Sequence, residues 1–375
     1  MRAGRGLIGL CLLAAAGGCS VAPPPALQPP PPSSPPQAAA PEMPAAAPPP
    51  QAMAVPRPPR RRAQQFRPMS PLADARSALV PFANSPFPYH GAVPSDGAPF
   101  LNVSADGRLG RRSPRGGVHW EDETYSDRRV LLHLPRGFDP ARPALLVVFL
   151  HGNNATLERD VIARQRVPAQ LDEAGVNAAL AAPQFAVDAA DSSAGRFWEA
   201  GAFARFLDEA AAQLAGLYGN SRARRLFAAM PVVIVAYSGG YQAAAYALER
   251  GGADPRIRGV VLLDALYGET GKFADWLRRR RPSAFFVSAY SGSSREQNLA
   301  LQALLRQRHE SFATELPAQL DRGGILFVSA PDAAHNDFVT RAWTADPIAD
   351  LLRRLPPFRL QPLPEARAAP PPGLS

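Results

Sequence analysis

The sequence predicts a doubly wound, mostly parallel sheet flanked by helices, set between two proline-rich ends that take no part in it. Two observations lead there. From about residue 124 onward, short apolar runs of strand length alternate with longer stretches of helical periodicity, the pattern of strands buried on both faces by crossover helices. The 43 prolines among 375 residues crowd toward the two ends, so the folded part is shorter than the chain and one domain of about 280 residues is expected.

Taken from the start, residues 1–18 have the layout of an export signal: Arg2 and Arg5, an apolar stretch from Leu7 to Ala16, then small residues before Cys19. The stretch is too short to span a bilayer. The run from Leu13 to Cys19 resembles a bacterial lipoprotein signal, which implies a lipid on Cys19 and a membrane-anchored protein facing the periplasm, with plain secretion as the alternative. Of the two cysteines, Cys11 lies in the segment to be removed, which leaves no intramolecular disulfide.

Residues 19–80 read as a linker rich in Pro, Ala and Arg, a composition that cannot bury a core and favours extended chain. Arg57, Arg60, Arg61, Arg62 and Arg67, with Arg108, Arg111, Arg112 and Arg115, supply much of the net charge of +9. Such a cluster suits anionic lipid or acidic wall polymer, or is a solvated linker; nucleic acid is not expected for an exported chain. The folded domain is expected over 81–356, with a proline-rich tail at 357–375.

Within the domain, strands are predicted at 129–134, 144–150, 178–182, 232–237, 259–263, 284–289 and 325–329. Helices are predicted at 156–174, 203–218, 242–250, 272–281, 296–308 and 338–354, several of them ending at glycines. No repeat is present.

The strongest local signal is a buried strand, Val232 to Tyr237, running into Ser238-Gly239-Gly240 and then an alanine-rich helix. A serine on so sharp a turn needs small residues two places before and after it, and Ala236 and Gly240 stand there. The turn aims the hydroxyl at the start of a helix, where backbone N–H groups favour developing negative charge. A second buried strand ends in His151-Gly152-Asn153-Asn154. A third apolar run ends in Asp264. The last one leads to His335 by way of a polar loop.

These motifs, in this order over residues 124 to 354, resemble the α/β-hydrolase family, in which a nucleophile elbow is followed along the chain by an acid and a histidine. The resemblance implies an α/β-hydrolase fold, Ser238 as nucleophile and His335 as base. Of the six histidines, His90 and His119 precede the core, His133 lies in an early strand, His309 ends a charged helix, and His151 suits a structural role. The oxyanion would be met by the N–H groups of Asn153 and Gly239, with Asn154, Tyr237 and Trp198 as substrate contacts.

The acid is expected at Asp264, on the strand directly after the nucleophile strand. The family's usual position, one strand later, holds Ser288-Ala-Tyr-Ser-Gly-Ser-Ser, hydroxyls without a carboxylate. Glu296, Asp332 and Asp337 are the rivals.

No metal site is expected, because the histidines are dispersed, and no cofactor, because the paired glycines at 116, 251 and 323 lack the rest of a phosphate-binding motif. The stretch from Asp264 to Pro282 has room for one short helix, so no large cap is expected. The segment 184–203, with Asp188, Asp191, Ser192, Ser193, Phe197, Trp198 and Glu199, reads as a rim of the cleft. An ester of a wall polymer or lipid is the first expectation for the substrate. A cell-wall amide comes second, and a polymer-binding lipoprotein without activity is a third reading.

Overall fold

The computed structural model describes residues 69–360, Arg115 apart. The expected signal segment, Cys19, most of the linker and the tail beyond 360 lie outside the described residues, as do Arg57, Arg60, Arg61, Arg62 and Arg67. No described helix is long and apolar enough to cross a membrane.

The chain enters through strand β1 (Arg76–Pro81) and then makes a small antiparallel sheet of β2 (Val103–Ala105), β3 (Arg108–Arg112) and β4 (Val118–Trp120), followed by the short helix α1 (Glu121–Thr124). Next come β5 (Arg129–Leu134), β6 (Leu145–Leu150), α2 (Val167–Ala174), β7 (Ala178–Pro183), α3 (Ala202–Tyr218) and α4 (Arg224–Ala229). The second half is β8 (Val232–Tyr237), α5 (Tyr241–Arg250), β9 (Ile257–Leu263), α6 (Thr270–Arg280), β10 (Phe285–Tyr290), α7 (Arg295–Gln307), β11 (Ile325–Ser329) and α8 (Pro347–Arg353).

Eight strands form the main sheet in the order β1-β5-β7-β6-β8-β9-β10-β11. Only β5 runs against its neighbours; from β7 to β11 every pairing is parallel. This sheet, with helices on both faces, is the α/β-hydrolase fold. One helix, α6, occupies the stretch where a cap would be inserted.

Side-chain alternation explains why the central strands read as continuous apolar runs. In β6, Leu146, Val148 and Leu150 pack into one core while Leu145, Val147 and Phe149 pack into the other. In β8 the division is Ile234 and Ala236 against Val233, Val235 and Tyr237.

The fold departs from expectation at several places. Residues 76–80, expected in the linker, form the edge strand β1 with Pro81, and Leu72 before it is buried; an edge strand has one partner and no full apolar run to reveal it. Past 356, Arg359 bridges to Val176 and the Leu360 N–H bonds to Gly175 O, so the folded unit reaches four residues into the expected tail. Two of the arginines counted in the basic cluster are paired with carboxylates of the fold: Arg108 with Asp122 and Glu123, and Arg111 with Asp191. The single helix expected at 156–174 is two, a wide π-type segment over Leu157–Arg164 and α2, separated by Arg166 in a left-handed conformation (φ 52°). Pro168 sits in the first turn of α2, where its missing N–H is harmless. The last helix is delayed to Pro347 and preceded by a 3₁₀ turn over His335–Val339.

Candidate active site

All the parallel strands deliver their carboxyl ends to one edge of the sheet, and the turns there carry the polar motifs. Ser238 follows β8 directly, with φ of 52°, a left-handed conformation that non-glycine residues hold only where the surroundings enforce it. Three close approaches enforce it here. A Cβ on Gly240 would lie 2.3 Å from Leu150 O, one on Gly239 2.2 Å from Asn153 Oδ1, and one on Gly152 2.6 Å from Ser238 Cβ. The His151-Gly152-Asn153 turn therefore presses directly on the serine: a Cβ on Gly240 would meet backbone and one on Gly152 the serine Cβ, whereas one on Gly239 would meet the ends of the Asn153 and Ser192 side chains.

The structure brings together Ser238, His335 and Asp264. His335 Nε2 lies 2.8 Å from Ser238 Oγ, and His335 Nδ1 lies 2.6 Å from Asp264 Oδ2. With Nδ1–H donated to the carboxylate, Nε2 is left as an acceptor for the serine proton. Behind the imidazole, the ring of Tyr237 stacks at 4.9 Å with an interplanar angle of 28°, and its hydroxyl donates to Asn336 Oδ1 at 2.8 Å. Burial raises the phenol pKa of Tyr237, which keeps it a donor.

Asp264 is fully buried. Burial alone would raise its pKa, but the donors around it reverse the balance and hold the carboxyl below the usual carboxylate range; His335, Ser294 and Ser291 are the main ones. Ser291 gives its N–H (3.0 Å) and its hydroxyl (2.9 Å), Ser293 gives a hydroxyl at 2.9 Å, and Ser294 gives another. Tyr267, whose phenol burial pushes up to about 12, bonds Ser293 at 2.8 Å and stands 3.4 Å from both Asp264 and His335 Nδ1. Of the hydroxyl run noted in the sequence at 288–294, Ser291, Ser293 and Ser294 thus surround a carboxylate from the preceding strand, while Ser288 bonds Asn298. Of the rival acids, Asp337 receives the Ala334 N–H and pairs with Arg341, while Glu296 and Asp332 are exposed.

His151 is not part of this hydrogen-bonded series. It is buried, its Nδ1 donates to Gly152 O at 2.7 Å, and its Nε2 accepts from the Phe185 N–H at 2.9 Å and from Gln184 at 3.1 Å. Burial pushes its pKa down to about 4, so it stays neutral and holds the turn over Ser238.

Ser238 and His335 open into a cleft of about 680 Å³ that Asn153, Asn154, Tyr237 and Gly239 also line. The segment 184–203 reaches it through Ser192, whose hydroxyl donates to Asn153 Oδ1 at 3.0 Å. Trp198 corrects the expectation: it does not line this cleft. It is 4% exposed, edge-on to Tyr89, Phe100 and Tyr246, because α5 and the segment before β5 close over it. Arg164, Tyr241, Tyr267 and Asn336, not singled out in the sequence, do line it. Among the described residues no cluster of metal-ligating side chains occurs.

No protein-family model matches the sequence, and no curated protein matches it. Solved structures do. A feruloyl esterase module from Clostridium thermocellum is 14% identical, with a TM-score of 0.43 over 72% of this chain and 96% of that one. An S-formylglutathione hydrolase from Agrobacterium tumefaciens is 11% identical, with a TM-score of 0.39 over 63% and 92%. An IroE-like serine hydrolase from Shewanella oneidensis is 14% identical, with a TM-score of 0.37 over 61% and 75%.

Proposed function

We propose that this chain is a serine hydrolase of the cell envelope that cleaves a carboxylic ester. One observation carries the reading: the hydrogen-bonded series from Ser238 Oγ through His335 to a buried Asp264 that five further donors surround.

In the proposed reaction Ser238 Oγ attacks the acyl carbon while His335 Nε2 takes its proton. The imidazolium is stabilised by Asp264, which stays ionised. The oxyanion is met by the N–H of Gly239, in the first turn leading into α5, and by that of Asn153. Collapse breaks the ester C–O bond, and the alcohol leaves with the proton that His335 returns. Water then attacks the acyl-enzyme through the same base, releasing the acid and restoring Ser238.

Export and anchoring by a lipid on Cys19 complete the proposal, supported by the basic, apolar and small-residue order of residues 1–20. The anchor would set the domain against membrane or wall polymer as partner.

The test is fluorophosphonate labelling of the full chain, compared with Ser238→Ala and His335→Ala, alongside turnover of p-nitrophenyl acetate. Labelling lost with the serine change and strongly slowed with the histidine change supports the hydrolase. Failure of the folded wild type to label overturns it in favour of a polymer-binding lipoprotein. Release of amines from purified wall sacculi, with no ester turnover, would favour an amidase instead.

A further inference from the structure

The walls of the cleft are made of groups that hydrogen-bond or stack. Asn153, Asn154, Arg164 and Asn336 bring amides and a guanidinium, and Tyr241 and Tyr267 bring two rings with centroids 6.2 Å apart, tilted by 58°. Among the described residues no leucine, isoleucine, valine, phenylalanine or methionine lines it. An alkyl chain entering from water finds no aliphatic wall here, only tyrosine rings among polar groups, so chain length brings little binding. Nor is the cleft built for an anion: Arg164 Nη2 already lies 2.7 Å from the buried carboxylate of Asp160.

The space continues past Ser192 and Tyr241, which also line a second cavity of about 300 Å³. The segment ahead of β5 supplies its outer wall, through Val93, Ser95, Arg111 and Pro114. Arg111 is balanced by Asp191, Nε to Oδ2 at 3.4 Å, and Asp191 in turn accepts from the buried Tyr125 hydroxyl at 2.6 Å. Around this cavity also stand Trp198 Nε1 and Gln242 Oε1, two buried atoms without a hydrogen-bond partner among the described residues. Folded proteins leave few such atoms, and each is unfavourable until something polar meets it. A donor and an acceptor beside a neutralised ion pair suit an uncharged occupant that both donates and accepts. A sugar ring has that rim of hydroxyls, and its C–H faces suit the tyrosines.

We infer that the two cavities are successive subsites for a carbohydrate, and that the ester cleaved is a short acyl group, acetyl in the simplest case, carried on a sugar hydroxyl. The inference rests on the serine-hydrolase reading and adds the substrate class to it. Ser238 takes the acetyl carbon, the bond to the sugar oxygen breaks, that oxygen leaves with the proton from His335, and water releases acetate. The esterified sugar lies against Tyr241 and Tyr267, and the next unit lies in the second cavity.

The test uses the full chain with four substrates: p-nitrophenyl acetate, p-nitrophenyl octanoate, an acetylated monosaccharide and acetylated xylo-oligosaccharides. The expected result is no gain in kcat/KM from acetate to octanoate, since the wall offers no aliphatic surface to bury the extra methylenes, and a lower KM for the oligosaccharide acetates than for the monosaccharide acetate. Tyr241→Ala should raise the oligosaccharide KM about three- to tenfold, the range expected for a lost aromatic face, with fluorophosphonate labelling of Ser238 serving as the check that the variant is folded. Preference for octanoate, equal KM for both sugar esters, or an unchanged KM in a labelling-competent Tyr241→Ala would overturn the inference while aryl acetate turnover left the hydrolase standing. No turnover of any ester and no labelling would overturn both.

Discussion

Asp264 accepts both the backbone N–H and the hydroxyl of Ser291, at 3.0 and 2.9 Å, although the two residues stand at the ends of neighbouring strands. The acid and the loop that holds it thus come from different crossovers. Loss of the charge should matter far more than loss of any one hydroxyl. Asp264→Asn is expected to lower kcat about 10³- to 10⁴-fold, by favouring the wrong tautomer of His335. Ser291→Ala, which removes one of several donors, should cost about tenfold or less. Steady-state turnover of p-nitrophenyl acetate by both variants checks this; equal losses would mean that the loop, not the charge, fixes the imidazole.

Gly152→Ala places a Cβ 2.6 Å from Ser238 Cβ and 3.2 Å from its Oγ. Either the turn or the serine must move, and a displacement of that order should slow acylation about 10²-fold or more. The rate of fluorophosphonate labelling reads this, with near-ultraviolet circular dichroism reporting that the protein is folded.

Stability should depend on pH through His151. The unfolded chain takes up a proton there near pH 6.5 and the folded chain only near 4. Between those values the unfolded state carries more protons, so stability falls as pH drops from about 6.5 to 4, by up to about 3 kcal/mol from this group. Thermal unfolding of wild type and His151→Gln across that window should show a shallower slope in the variant. Parallel slopes would refute the assignment.

Tyr237→Phe keeps the ring stacked on His335 and removes only the 2.8 Å bond to Asn336. A modest fall in kcat, about two- to tenfold, follows from one hydrogen bond acting on the orientation of the base. KM should barely change, since Tyr237 acts through His335; a large KM effect with kcat intact would make it a substrate contact after all.

Trp198→Ala should unfold the protein more easily by about 3–5 kcal/mol, the range for truncating a large buried aromatic. The urea midpoint measures it. An unchanged midpoint would contradict the packing of Trp198 against Tyr89, Phe100 and Tyr246.

Much of this arrangement is legible in the amino-acid sequence because buried parallel strands announce themselves: Leu145 to Leu150 and Val232 to Tyr237 are apolar on both faces, and the polar residues that follow them have one edge to go to. Ser238 and His335 follow from that rule and from the chain order of the family the sequence resembles, whereas Asp264 stands out from Glu296, Asp332 and Asp337 only where the fold sets it 2.6 Å from His335 Nδ1. The remaining features lack a local signature. The strand Arg76–Pro81 sits among prolines and arginines and gains its strand character from Arg129–Leu134 alone. Arg164 and Tyr241 belong to helical segments, and what turns them toward the serine is how those segments pack. Trp198 misleads for the same reason, since a tryptophan beside a polar loop reads alike whether it meets solvent or the segment before β5. Ser291, Ser293 and Ser294 are visible as hydroxyls, but only the register of β9 beside β10 tells which carboxylate they serve.

Both ends of the described chain meet at the pole of the sheet where the parallel strands begin. Leu72 exchanges backbone hydrogen bonds with Gly137 and Phe138, Phe358 O receives the Asn177 N–H just before β7, and a Cβ on Gly137 would touch Leu360. Ser238 lies at the other pole, a strand length or about 20 Å away. A dye, a bead or an electrode attached at Met69 or Leu360 should therefore sit on the far side of the sheet from the mouth of the cleft.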